Sequence, residues 1–89
     1  MKITDIRIHL FPNSENKLKA IAAITIDECF VVHYIKVLEG REGYFIKMPN
    51  RLTPEGVYKD VAHPINTATR EEINKLVLAK YEEELKANA

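Results

Sequence analysis

The sequence predicts an α+β fold: an antiparallel β-sheet of four to five strands over about residues 2–61, followed by a C-terminal α-helix over about residues 67–87. Three observations predict it. Apolar and polar residues alternate through most of the chain before residue 61, the period of a strand with one buried face. Clusters of turn-forming residues interrupt the alternation at short intervals. After His63-Pro64 the apolar spacing lengthens to three and four, one stripe of a helix.

The first strand, within residues 2–11, turns Ile6, Ile8 and Leu10 one way and Asp5, Arg7 and His9 the other. Pro12-Asn13-Ser14-Glu15-Asn16 is a turn cluster. Residues 18–27 place Leu18, Ala20, Ala22, Ile24 and Ile26 on one face. The other face, with Lys19, Ile21, Ala23 and Thr25, is also fairly apolar, so this strand is expected at the sheet centre or under cover on both sides. Asp27-Glu28-Cys29 is a tight connection. Residues 30–38 are rich in β-branched and aromatic types, which pack well on a pleated surface. Glu39-Gly40-Arg41-Glu42-Gly43 reads as a hairpin loop. Residues 44–48 form the fourth strand, which Pro49 ends by removing a ladder donor. Short turns make these four a meander.

Residues 49–56 read as a loop, and Val57-Tyr58-Lys59-Asp60-Val61 as a short fifth strand. In the helix, Ile73, Leu76, Val77, Tyr81 and Leu85 form the apolar stripe. Thr69 with Glu72 fits a capping box, and Thr67 is an equally legal cap. Glu71 and Glu72 lie near the positive end of the helix dipole and Lys86 near the negative end.

Eighty-nine residues make one domain, residues 1–89. Thirteen basic residues balance thirteen acidic ones, so the net charge is zero and an indiscriminate polycation is excluded. No apolar run approaches the ~20 residues of a membrane span. The first residues lack the layout of a signal peptide, and a cytoplasmic protein is the simplest reading. Cys29 is the one cysteine, which excludes an internal disulfide and a cysteine zinc site; it is expected as a small buried apolar residue. With neither staple available, pairing of two chains is a favoured way to bury more apolar surface, beside the alternative of a marginal monomer.

No motif points to an enzyme, a cofactor or a small-molecule substrate. His9, His33 and His63 share no metal-ligand spacing, so no metal and no catalytic residue is expected. The three glycines are turn glycines rather than a phosphate loop. Charge distribution says more. Residues 36–59 carry Lys36, Arg41, Lys47, Arg51 and Lys59 against Glu39, Glu42 and Glu55, a basic surplus of two. Lys47 and Lys59 have Tyr44 and Tyr58 nearby in sequence, and cations beside rings can hold a nucleic-acid backbone and stack its bases. A solvated sheet face is the competing reading of the same charges.

Thr4-Asp5-Ile6-Arg7-Ile8, Lys19 through Asp27, Phe30-Val31-Val32-His33, Met48-Pro49, Thr53-Pro54-Glu55-Gly56, Asp60 through Asn66, and Thr69-Arg70 follow one another along nearly the whole chain. Together these segments resemble the SpoVG family of bacterial septation and sporulation regulators. The resemblance implies a small homodimer with a sheet followed by a helix. It also implies DNA binding, and in some members RNA binding, in the regulation of gene expression. By position it points to Arg51, Thr53, Thr69 and Arg70 as nucleic-acid contacts; Lys47 and Lys59 join them on charge. The chain departs from the family at Leu52, where a second basic residue is usual, and at Tyr34, where an acidic one is common. The exposed amides of the helix N-terminus would also favour phosphate, opposed by Glu71 and Glu72. The alternative function is a protein-interaction module that affects cell division by adding a strand at a free sheet edge.

Overall fold

The computed structural model describes residues 1–12 and 15–88; the expected turn residues Asn13 and Ser14 lie outside them. Four strands pair antiparallel in sequence order: β1 (Ile3–Leu10), β2 (Leu18–Ile26), β3 (Phe30–Gly40) and β4 (Gly43–Lys47). Two shorter strands, β5 (Asn50–Leu52) and β6 (Tyr58–Asp60), form a separate ribbon, and α1 (Thr67–Ala87) closes the chain. The fold is α+β, as the alternation and the helical stripe predict. Boundaries differ in two places: Glu39, Gly40 and Gly43 of the expected hairpin loop lie in β3 and β4, and Asn50–Leu52, expected within a loop, is a strand. Three residues are too few for a period, and their pairing partner lies beyond a turn.

Alternation decides which face is buried. Ile6 and Ile8 of β1 oppose Ile24 and Ala22 of β2, and Ala22 opposes Ile35 of β3. Against this face lies α1, which contacts β1, β2 and β4 and buries Ile73, Val77 and Tyr81. Full burial of such a side chain contributes about 1.5–3 kcal/mol each. The Tyr81 ring meets Tyr44 edge-on at 4.9 Å, and burial first, then the hydrogen bond with Tyr44, pushes its hydroxyl up to about 12. The second strand is central, as expected, but α1 covers one face only. On the other face Ile21, Ala23 and Thr25 stay half-buried.

The helix cap is Asn66 rather than Thr67 or Thr69. Its extended backbone lets Oδ1 accept from the Thr69 amide at 2.7 Å. Asparagine is among the strongest cap formers, and here it lies one residue ahead of Thr67 and three ahead of Thr69. The helix is not long and apolar enough to cross a membrane.

The β2–β3 turn is strained. Asp27 and Glu28 have φ of 51° and 58°, the left-handed pair of a type I′ turn, and Cys29 N–H donates to the Ile26 carbonyl at 3.1 Å. Left-handed backbone costs roughly 1–2 kcal/mol per ordinary residue. Bonds from the start of β1 hold it: Lys2 N–H to Asp27 Oδ1 at 2.9 Å, and Glu28 N–H to Thr4 Oγ1 at 3.0 Å. This turn also leaves Cys29 exposed, where a buried residue was expected. Glu28→Gly relieves the strain, and the freedom glycine gains in the unfolded chain offsets part of that. The expected net gain is about 0.5–1 kcal/mol, read as a Tm rise of roughly 2–8 °C.

Candidate nucleic-acid interface

Chain reversal at Thr53-Pro54-Glu55-Gly56 builds the ribbon. Gly56 N–H donates to the Thr53 carbonyl at 2.9 Å, and Thr53 N–H to the Val57 carbonyl at 2.8 Å. Gly56 supplies the left-handed step, with φ of 83°. Thr53 Oγ1 accepts from the Val57 amide at 3.2 Å, and the residue is buried. Thr53 thus holds the turn together, and its hydroxyl already has a partner inside the hairpin.

That turn sets the register that matters: Arg51 stands directly opposite Lys59. Both are exposed, and among the described residues neither forms an ion pair. Like charges directly opposite on two strands destabilise the pairing by a few tenths to about 1 kcal/mol. Such a pair is stable only in high dielectric or against an anion.

Lys47 and Arg70 come together elsewhere. With Asp60, Met48, Pro64 and Ile73 they line a cleft of about 270 Å³ between the end of β4, the ribbon and the first two turns of α1. Arg70 Nη2 donates to the Pro64 carbonyl at 3.4 Å, and His63 Nδ1 lies 3.0 Å from the same oxygen. Buried Pro64 therefore fixes the approach of Arg70 to the cleft. Asp60 leaves this cluster one net positive charge, so the ribbon pair is the stronger anion site.

Two expected features are not brought into the site. The Thr69 amide is taken by Asn66, which leaves the helix N-terminus fewer free donors for phosphate. Tyr44 packs on Tyr81 on the helix side of the sheet, and Tyr58 pairs opposite Leu52, one position along from the Arg51–Lys59 pair. Among the described residues no group of three or more histidine, cysteine, aspartate or glutamate side chains could hold a metal ion.

Sequence reasoning missed a feature of β3. Val32 opposes Ile24 and Ile35 opposes Ala22, so two residues, His33 and Tyr34, stand against Ala23 alone. This is a β-bulge, with Tyr34 in the left-handed region at φ 64°. The signal was present as a spacing of three between the core residues Val32 and Ile35 in an otherwise period-two strand.

The family model described as SpoVG matches residues 1–83. Curated relatives align over 82 residues, 92% of this chain. A protein of Clostridium acetobutylicum is 60% identical, with 85% of its length covered. One from Caldicellulosiruptor bescii is 55% identical, with 92% covered. One from Clostridium perfringens is 56% identical, with 90% covered. All three carry the name "Putative septation protein SpoVG".

Proposed function

The chain belongs to the SpoVG family, and we propose that it is a homodimeric nucleic-acid-binding regulator of gene expression linked to septation and sporulation. It acts in the cytoplasm on DNA or RNA, without enzymatic activity or cofactor. The observation that carries this reading is the unpaired Arg51–Lys59 couple on the ribbon, two cations held face to face with no carboxylate between them. A phosphate between them turns a repulsion into two charge-assisted contacts. Lys47 and Arg70 extend the contact along the cleft.

The homodimer is supported by the outer edge of β3. This strand pairs with β4 only from Lys36 onward, so Phe30–Ile35 has no outer neighbour among the described strands. Phe30 and Val31 are exposed along it, beside an apolar groove that reaches Val61 and Ala62. A second copy pairing there would bury this surface and bring two ribbons onto one nucleic acid, doubling a weak patch. The same edge supports the second reading, a module that adds a strand from another protein.

The test is binding of labelled duplex and single-stranded oligonucleotides at two salt concentrations, with the mass of the protein measured in solution. The expected result is a two-chain mass and binding that weakens steeply with salt. Absence of binding even at low salt would overturn the nucleic-acid reading. A pull-down partner that survives nuclease treatment would then favour the protein-interaction module.

A further inference from the structure

The face of the main sheet that α1 leaves uncovered carries a second, differently built site. Its floor is small: Ala23 and Ile21 of β2. Arg7 stands opposite Ala23 and His9 opposite Ile21 on the β1 side. His33 and Tyr34 stand opposite Ala23 on the β3 side, where the bulge inserts the extra residue. These groups wall a depression of about 200 Å³, below the ~300–1,000 Å³ of a drug-sized pocket and suited to a single planar ring. Phe11 adds an edge-on contact to His9 at 5.1 Å, and the His33 and Tyr34 rings lie 5.9 Å apart.

Charge on this face is mostly basic. Across the strands from His9 and Ile21 lies Lys36, and opposite Lys36 lies Lys47. The one acidic side chain in these rows is Asp5, bonded to Arg7 at 3.3 Å with both groups well exposed. An exposed pair of this kind is worth about 0–1 kcal/mol, so Arg7 is free to exchange it for another anion. Tyr34 is held on this face at a cost: a bulky residue in left-handed backbone is sparsely populated and persists where the surroundings over-determine it. The ring is 69% exposed, so burial in this chain does not repay that cost.

We propose that this depression is a stacking site for one unpaired base of a single-stranded nucleic acid, with the base between the His33–Tyr34 bulge and the Arg7–His9 wall. Lys36 holds a phosphate that flanks it. The proposal rests on the nucleic-acid reading above and adds a division of labour. The ribbon holds backbone phosphate of any strand; the open sheet face accepts a base only where the strand is unpaired, because a base in a duplex has no free ring face to offer.

The experiment compares a single-stranded oligothymidylate with an abasic strand of the same length and phosphate count, on the full chain and on Tyr34→Gly and Tyr34→Phe. Glycine suits φ 64°, so Tyr34→Gly removes the ring while relieving backbone strain, and a thermal melt checks that it folds. The expected result is that the full chain and Tyr34→Phe prefer the base-bearing strand by about tenfold, within the range measured for one base–aromatic stack. Tyr34→Gly is expected to lose that preference while keeping its affinity for the abasic strand. A preference that survives in Tyr34→Gly, or a full chain that binds both strands equally, overturns the stacking site and leaves the ribbon reading standing. Failure of the full chain to bind either strand overturns both.

Discussion

Ile35→Ala is expected to remove about 2–5 kcal/mol of stability, read as a lower urea midpoint with an unchanged slope. Ile35 is fully buried near the middle of β3, opposite Ala22 and one residue beyond the bulge. Its surroundings limit relaxation. Ala22 opposite it is already small, and Ile24, Val37 and Val77 of the same core cluster are themselves fully buried. The cavity therefore stays open and the loss lies toward the upper part of the range. A domain of this length holds only about 4–13 kcal/mol in total, so the loss is a large fraction of it. Ile65→Ala is the matched control: Ile65 is 89% exposed just ahead of the helix cap, and its truncation is expected to stay within about 0.5 kcal/mol. Equal losses at the two positions would mean that Ile65 is covered in solution by something outside the single chain.

Ile35 also marks where the sequence is readable and where it is not. Long alternating runs have one low-energy way to bury their apolar face, so β1 and β2 and their contact faces follow from the alternation alone. The same holds for the stripe of Ile73, Val77 and Tyr81, whose spacing admits only one helix face. Leu76 belongs to the expected stripe yet does not join the core, while Leu78 packs against it, because the i,i+4 row of Ile73, Val77 and Tyr81 turns the buried face toward Leu78. Features that depend on a single residue or on a distant partner were not legible. The bulge shifts one register step, and reading it requires knowing that Val32 and Ile35 face the same core. The β5 strand requires β6, which lies across a turn. Thr53 reads as a polar loop residue until its hydroxyl is seen bonded to the Val57 amide. Lys36, Lys47, Arg51 and Lys59 were legible as a local surplus, Arg70 only through the family resemblance, and Arg7 not at all. Their division into a ribbon pair, a cleft pair and an open sheet face was not, since it follows from three different strand pairings.

The ribbon pair allows a test in which folding and binding move in opposite directions. Arg51→Glu sets a carboxylate opposite Lys59 in place of a like charge. The ribbon is expected to gain a few tenths to about 1 kcal/mol, while binding of nucleic acid weakens. Adding Lys59→Glu restores a like-charge pair of the opposite sign, so the stability gain is expected to vanish and binding to fall further. If each cation holds one phosphate, each loss lowers the slope of log affinity against log salt by about 0.9. Two such contacts correspond to roughly 60-fold in affinity at 0.1 M salt relative to 1 M, and to more where both chains of a dimer engage the same strand. Both positions are exposed and the Thr53–Gly56 turn is untouched, so the melt of the double variant should match that of the parent. Weak binding with a normal melt and a shallower salt slope assigns Arg51 and Lys59 to phosphate. Unchanged affinity and slope would move the anion site off the ribbon, to the Lys47–Arg70 cleft or the open face of the sheet.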